Sequence, residues 1–307
     1  MSTAPDLSVV LVNWNAAALT AGALRSLREH VSGIAYEVFV VDNGSRDAVA
    51  VDALEAEFPW ARFIRNPDNR GFSRANNQAL RRARGRYLLL LNNDTVQLEN
   101  ALGLSVAWMD AHPDVGALGI THLNDDEGRT PQHSFFAFPD PWQDVQALAG
   151  LLDWEPPTPD FGREQDVDWL VGSYLLVRRA CYEDVGELDE RFFVYDEDID
   201  WCLRAQQAGW RRVYWPGARM VHLGAASRPH LKDKTFMHYR SHLSFIAKHH
   251  GPAAVAYYAA MSARLAASTG KQLLRLATGR ATAEDVRVRL VRQRHFMTLG
   301  HGKEGVK

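Results

Sequence analysis

Two clusters in this chain carry side chains whose types and spacing could do chemistry. In the first, Asn92-Asn93-Asp94 follows the apolar run Tyr87-Leu88-Leu89-Leu90-Leu91, so a carboxylate and two amides stand where a strand-length segment stops. Ligands collect beyond the carboxyl ends of such strands in open α/β sheets, which puts Asp94 where a bound molecule would be. In the second, Asp196, Glu197, Asp198 and Asp200 crowd the start of a segment in which Ile199, Cys202, Leu203 and Gln206 share a helix face and Gly209 is a fitting terminator. Carboxylates in a first helical turn are favoured by the macrodipole. Four of them exceed what a cap requires, and like charges this close push at least one pKa upward, which suits a general base. Each cluster also has a plainer reading. Asn92 to Asp94 can turn the chain and cap the next helix, and acids at a helix start are commonplace.

The elements that must position these residues follow from periodicity. Four consecutive leucines at strand length imply a strand buried on both faces, as in the centre of a parallel sheet. Residues 8–12 form an earlier apolar run that ends in Asn13-Trp14-Asn15, and Leu19, Ala23, Leu24 and Leu27 then recur at helical spacing. Residues 38–41 end in Asp42-Asn43-Gly44-Ser45, 47–58 is helical, 61–64 is a short strand, and Asn69-Arg70-Gly71-Phe72-Ser73 opens a helix through Arg84. Strand and helix in alternation predict a parallel sheet with helices on both faces. The three polar clusters then share one edge and describe a pocket with a carboxylate, several amides and an aromatic wall. The first strand-to-helix turn lacks glycine, and neither GxGxxG nor GxxxxGK[ST] occurs. A nucleotide held here would need its diphosphate neutralised by something else, and a divalent cation on Asp94 is the candidate.

Further along, 98–111 reads as a helix and 115–120 as a strand. From 121 to about 166 the periodicity dissolves, with Glu155-Pro156-Pro157-Thr158-Pro159 near its end; long irregular stretches are functional or mobile. The apolar segment 169–179 is broken by Gly172, which allows close backbone approach. Residues 213–217 and 220–222 read as strand, turn and strand end, finishing at His222. The remainder, 232–299, is helical in character, and Arg275, Arg280, Arg287, Arg289, Arg292 and Arg294 make it basic: a solvated face, or one that rests on anionic lipid headgroups. With 307 residues, 46% hydrophobic, 23% charged and a net charge of -2, the composition is that of an ordinary globular protein with one extended core or two modest domains. It excludes disorder and the charge balance of nucleic-acid binding. Cys181 and Cys202 are too few for a disulfide framework, have no metal-site spacing, and read as core residues suited to a reducing cytoplasm. No signal-peptide pattern and no stretch of about 18 apolar residues is present, so any membrane relationship is expected to be peripheral.

Taken in order, Val9-Val10-Leu11-Val12-Asn13-Trp14-Asn15, Val40-Val41-Asp42-Asn43-Gly44-Ser45, Asn69-Arg70-Gly71-Phe72, Leu90-Leu91-Asn92-Asn93-Asp94, Tyr195-Asp196-Glu197-Asp198-Ile199-Asp200 and Val221-His222 resemble family 2 inverting glycosyltransferases of the GT-A fold. The nearest likeness is to the bacterial rhamnosyltransferase-like branch, over roughly residues 7 to 228. The resemblance implies an α/β fold with a Rossmann-like, mostly parallel central sheet, helices on both faces and a C-terminal helical extension. It divides the chain into a nucleotide-sugar-binding half (1–120), an acceptor-binding and catalytic half (121–230) and the extension (231–307). It implies that Trp14 stacks on the nucleobase, that Asp42 accepts a hydrogen bond from the base imide, and that Asn13, Asn15, Asn69, Arg70, Gly71, Asn76 and Asn93 complete the nucleotide-sugar site. Asp94, matching the last acid of the DxD motif, and His222 would hold Mn²⁺ or Mg²⁺; Asn92 and Asn93 depart from DxD and leave one carboxylate. Asp198 matches the acid of the "ED" motif, the catalytic base, with Glu197 and Asp200 as alternates. Asp200 has a structural reading too, as a cap or as a partner of Arg204.

The activity so implied is transfer of a sugar, L-rhamnose from dTDP-rhamnose in this branch, from a dTDP- or UDP-sugar to a saccharide or lipid-linked acceptor in surface-polysaccharide biosynthesis. The stretch 121–166 is expected to face the acceptor. The location implied is cytoplasmic, at most peripheral on the inner face of the cell membrane, and the basic tail is open to homodimerisation, membrane contact or completion of the fold. Two other readings stand beside it. A sugar-1-phosphate nucleotidyltransferase should carry a glycine-rich basic loop where Asn13-Trp14-Asn15-Ala16 stands, and a non-catalytic nucleotide-sugar-binding protein would not need Glu197-Asp198.

Overall fold

Val9, Leu11, Val38, Val40, Leu89 and Leu91 lie in one apolar cluster, while Val10, Phe39, Val41, Leu88 and Leu90 lie in another. That is the period of two required of strands covered on both faces. The structure, a computed structural model, describes residues 4–125, 129–149, 151, 158–224, 234–280, 282–284, 286, 287, 290 and 291. Its elements in chain order are β1 (Leu7–Asn13), α1 (Ala17–His30), β2 (Tyr36–Asn43), α2 (Ala48–Glu57), β3 (Arg62–Asn66), α3 (Phe72–Leu80), β4 (Tyr87–Leu91), β5 (Thr95–Gln97), α4 (Ala101–Ala111), β6 (Val115–Leu123), β7 (Pro131–Gln132), β8 (Phe135–Phe136), α5 (Pro141–Leu148), β9 (Gln165–Asp166), β10 (Trp169–Leu170), β11 (Tyr174–Arg178), α6 (Arg179–Val185), α7 (Glu197–Gln207), β12 (Arg211–His222), α8 (Lys234–His250) and α9 (Ala253–Ala277). The chain divides into two compact units, residues 1–138 with 158–232 and residues 139–157 with 233–307.

In the first unit the sheet runs β3-β2-β1-β4-β11-β6-β12-β5. β3, β2, β1 and β4 are mutually parallel, as the alternation predicts. β11 enters antiparallel between β4 and β6, while β12 runs parallel to β6. Alternation does not foretell that insertion, because β11 arrives after the long excursion that follows β6 and not from a helical crossover. α1 contributes Ala23, Leu24 and Leu27 to one cluster, and α3 contributes Ala75, Ala79 and Leu80 to the other. Cys181 and Cys202 are buried free thiols, as expected of core residues.

Several boundaries move for local reasons. The strand expected at 115–120 continues to Leu123, so the first residues of the irregular stretch belong to the sheet. The segments 213–217 and 220–222 are one strand, β12, whose register shifts between Trp215 and Arg219 around Pro216, a residue with no N–H for the ladder. α4 begins at Ala101, not Leu98, because Asn100 caps it through Gly103 N.

The second unit joins part of the irregular stretch to the C-terminal helices. Asp140 starts α5 by accepting from Trp142 N and Gln143 N, with Pro141 at the first helical position. Phe245, Ile246, Tyr257 and Met261 are buried, and His242 Nε2 lies 3.0 Å from Asp144 Oδ2. Gly251, at φ +45°, and Pro252 separate α8 from α9 within the expected 232–299 helical region. Arg275, Arg280 and Arg287 are exposed; Arg289, Arg292 and Arg294 lie outside the described residues, as do Glu155, Pro156 and Pro157. Among the described residues, no helix is long and apolar enough to cross a membrane.

Candidate active site

The carboxyl ends of β1, β2 and β4 are joined by one chain of side-chain hydrogen bonds. Asn93 Nδ2 donates to Thr20 Oγ1 (3.0 Å), Thr20 Oγ1 donates to Asn13 Oδ1 (2.9 Å), and Asn13 Nδ2 donates to Asp42 Oδ1 (2.7 Å). Ser45 continues it, its hydroxyl donating to Asp42 Oδ1 at 2.5 Å and accepting from Asn15 N at 2.8 Å. Asn15 sits at φ +53°, a conformation asparagine tolerates, and its Oδ1 accepts from Arg46 N at 2.8 Å. The amides of Asn13 and Asn93 are thus spent on orienting Asp42 and the strand ends. Trp14 follows Asn13 and is half-buried. Thr20 carries no signal in the sequence beyond its place one turn into α1.

A second polar patch adjoins β2 and β3. Asn69 Oδ1 accepts from Asn43 Nδ2 (2.9 Å) and Gly71 N (3.0 Å), and Asn43 Oδ1 accepts from Arg70 N (3.1 Å). The Arg70 side chain is exposed and reaches Asp68 at 3.2 Å. Asn76 is buried with its Nδ2 donating to Phe72 O at 2.9 Å, so that amide is bonded into α3 and not into the strand-end network. Gly71 has φ 89°, ψ 164°, a region only glycine occupies readily, and a Cβ there would lie 2.7 Å from Phe193 O. Phe72 N donates to that same carbonyl at 2.6 Å, which ties α3 to the loop before α7. Gly71→Ala is therefore expected to cost about 1–3 kcal/mol or more, seen as a lower denaturant midpoint.

Asp94 and His222 come together through the sheet. β12 pairs with β5 so that His222 stands opposite Thr95, and Leu223 N donates to Asp94 O at 2.9 Å. His222 Nε2 lies 3.4 Å from Asp94 Oδ1 and 3.5 Å from Asn92 Nδ2. A carboxylate oxygen and an imidazole nitrogen converging in this way form a donor set that suits a first-row divalent ion such as Mn²⁺. Among the described residues no group of three His, Cys, Asp or Glu side chains is gathered for a metal, so a bound ion here would take further oxygens from water or a phosphate. His122, which sequence reasoning missed, packs beside His222 with ring centroids 5.8 Å apart; burial, then the neighbouring His222, depress its pKa to about 3.

The acidic cluster opens α7 behind two left-handed residues, Tyr195 at φ +73° and Asp196 at φ +64°. Asp198 is half-buried, accepting at Oδ2 from Gly172 N and at Oδ1 from Ile199 N, both at 2.9 Å. Burial is the largest cause raising its pKa to about 6, with the charge of Asp196 adding and the Gly172 bond opposing. Burial, then the Asp198 charge, hold the Glu197 carboxyl well above the usual carboxylate range. Crowding alone, the cause expected from sequence, is the lesser one. Asp200 is fully buried and bonds Arg204 Nε at 2.9 Å, while Arg204 also donates to the carbonyls of Val185 and Glu187, all of which makes Asp200 a structural partner. Gly172 and Ser173 carry Asp198 to the strand ends: Gly172 N meets Asp198, and Ser173 O accepts from Asn92 N at 3.1 Å.

Comparison with known proteins bears on the family and the fold. A family model described as "Glycosyl transferase family 2" matches residues 8–186. The chain is 30% identical over 222 residues to the N-acetylglucosaminyl-diphospho-decaprenol L-rhamnosyltransferase of Mycobacterium tuberculosis strain H37Rv, covering 62% of this chain and 67% of that one. It is 27% identical over 224 residues to the rhamnosyltransferase WbbL of Escherichia coli K12, covering 69% and 83%. Among solved structures, a mannosyltransferase from Pyrobaculum calidifontis, in complex with GDP-Man and Mn²⁺, shares the fold with a TM-score of 0.55 at 19% identity, over 97% of this chain and 87% of that one.

Proposed function

The chain belongs to glycosyl transferase family 2 and is a glycosyltransferase, and from that premise we propose that it inverts the anomeric centre and depends on a divalent metal, moving L-rhamnose from dTDP-rhamnose to a saccharide or lipid-linked acceptor in surface-polysaccharide biosynthesis. The observation that carries the reading is the meeting of three groups at one sheet edge: Asp94 beside His222, and Asp198 bonded to the Gly172-Ser173 segment that Asn92 binds. Asp198, with a pKa of about 6, is ionised at neutral pH, and burial with the Asp198 charge holds the neighbouring Glu197 carboxyl well above the usual carboxylate range. Asp198 then takes the proton of an acceptor hydroxyl as that oxygen bonds the anomeric carbon and the bond to the diphosphate oxygen breaks; a single displacement of this kind inverts the centre. Mn²⁺ or Mg²⁺ held by Asp94 and His222 would supply Lewis-acid stabilisation of the departing diphosphate. Asp42 and the neighbouring Asn43 patch, with Trp14, Asn15, Asn69, Arg70 and Gly71, would take the nucleobase, with Asn13 and Asn93 holding the strand ends and Asn76 holding α3; residues 1–120 would form the donor half and 121–230 the acceptor half. The rhamnose assignment rests on the two relatives' names; the metal is supported by the Asp94–His222 pair and by the Mn²⁺ of the mannosyltransferase. Contact of the basic C-terminal helices with the inner face of the cell membrane, where a lipid-linked acceptor resides, belongs to the same reading.

The test is release of nucleoside diphosphate from dTDP-, UDP- and GDP-sugars, with a lipid-linked saccharide acceptor and Mn²⁺, Mg²⁺ or chelator. Release confined to dTDP-rhamnose and abolished by chelator is expected. Undiminished turnover in chelator would overturn the metal dependence, and preference for another donor would overturn the sugar.

A further inference from the structure

One side chain grips His222 at two points. Gln132 Nε2 lies 2.6 Å from the His222 carbonyl oxygen and 3.5 Å from the Leu123 carbonyl oxygen, and Gln132 Oε1 lies 2.9 Å from His222 Nδ1. Shape alone leaves a glutamine amide free to flip, but carbonyl oxygens only accept, so the end facing two of them must be the NH₂ group. The amide oxygen therefore faces His222 Nδ1. That oxygen also only accepts, so Nδ1 carries a proton. In the neutral ring the lone pair is then on Nε2, the nitrogen that stands 3.4 Å from Asp94 Oδ1. Gln132 is itself fixed: β7 pairs antiparallel with β6, placing Gln132 opposite His122. His122 backs the His222 ring and is steadied by Ser173 Oγ, 3.2 Å from its Nδ1.

We infer that Gln132 is a positioning residue for the Asp94–His222 site, holding His222 in the Nδ1–H tautomer so that Nε2 presents its lone pair toward Asp94. Without Gln132 the proton is free to settle on Nε2, where Asp94 accepts it and an incoming cation must displace it. Groups that orient a metal-binding histidine from behind contribute about 10- to 100-fold in metal affinity. The consequence for affinity rests on the metal reading proposed above; the tautomer does not.

The full chain with Gln132→Met and with Gln132→Glu separates the two. Long-range ¹H–¹⁵N NMR, with the His222 signals assigned against His222→Asn, reads the tautomer, and titration with Mn²⁺ alone, following the free ion by electron paramagnetic resonance, reads affinity. Wild type is expected in the Nδ1–H form. Gln132→Met is expected to move toward Nε2–H and bind Mn²⁺ about 10- to 100-fold more weakly. Gln132→Glu, whose carboxyl group still accepts from Nδ1 and in its protonated form donates an O–H to the His222 carbonyl as the amide does, is expected to keep the tautomer and most of the affinity. An unchanged tautomer in Gln132→Met would overturn the inference. Should that variant fail to fold, Nδ1–H retained in Gln132→Glu supports the inference and conversion to Nε2–H overturns it. A wild-type chain with the Nδ1–H tautomer and no Mn²⁺ binding would support the role of Gln132 and overturn the metal reading alone.

Discussion

Asp198→Asn is expected to lower kcat by roughly 10²- to 10⁴-fold while the affinity for donor nucleotide stays within about twofold of wild type. An amide of the same shape still occupies the site but takes no proton, and nothing in the Asp42 and Asn43 networks depends on Asp198. The loss should be chemical and not a failure to fold, as opposing magnitudes indicate. Raising the pKa from 3.8 to about 6 means that ionised Asp198 weighs against the fold at neutral pH by about 3 kcal/mol. The penalty sets in as pH rises from the unfolded value to the folded one, and the amide is free of it. Against that, Asn offers one acceptor oxygen where Asp198 satisfies both Gly172 N and Ile199 N, and the stranded N–H costs about 1–3 kcal/mol. The two nearly offset, so thermal unfolding should be little changed. In the wild-type enzyme the base must be deprotonated, so kcat should fall about tenfold per pH unit below about 6 and level off above it. That acid limb should be missing from the residual activity of Asp198→Asn. A pH–rate profile in which both proteins share the limb would remove Asp198 from the role of base.

The sequence made the scaffold legible where burial leaves a period. Residues 88–91 announce a strand covered on both faces, and the two clusters on either side of β4 bear that out. The polar strand ends at Asn13, Asp42 and Asn93 were legible for the same reason: a carboxyl-terminal strand end is a fixed place in a parallel sheet. The close approach expected at Gly172 is not what the structure uses: its N–H meets Asp198, as any residue's could, and a Cβ there would sit 3.5 Å from Asp198 Oδ2, an ordinary contact. What was not legible depends on contacts between distant residues. β11 carries no mark of its antiparallel direction, because four apolar residues in a row read alike either way. Gln132 sits on a two-residue strand too short to show a period, and its partner His222 is 90 residues away. Asp200 and Asp198 look equivalent as letters; they separate only because Arg204 lies one turn on from Asp200 while backbone N–H groups reach Asp198.

Asp94→Asn is expected to cut donor turnover by at least about 10²-fold, since a divalent ion contributes several kcal/mol to stabilising the leaving charge and each 1.4 kcal/mol is a factor of ten. Neither neighbour can replace the lost carboxylate. Asn93 has its amide on Thr20, and Asn92 turns its own toward His222, while the Asn92 backbone carbonyl accepts from Thr95 Oγ1 at 2.8 Å. The substitution should leave the sheet intact, because the bond joining β5 to the end of β12 runs from Leu223 N to the Asp94 backbone oxygen, which asparagine keeps. Its signature differs from that of Asp198→Asn: Mn²⁺ binding and metal-dependent donor binding should fall together, and the residual rate should no longer respond to chelator. Adding Asn92→Asp to Asp94→Asn returns one carboxylate to the same turn, two residues earlier, and is expected to recover part of the Mn²⁺ affinity. Turnover of Asp94→Asn that stays metal-dependent with an unshifted Mn²⁺ midpoint would place the ion elsewhere and separate His222, with the glutamine behind it, from the chemistry of transfer.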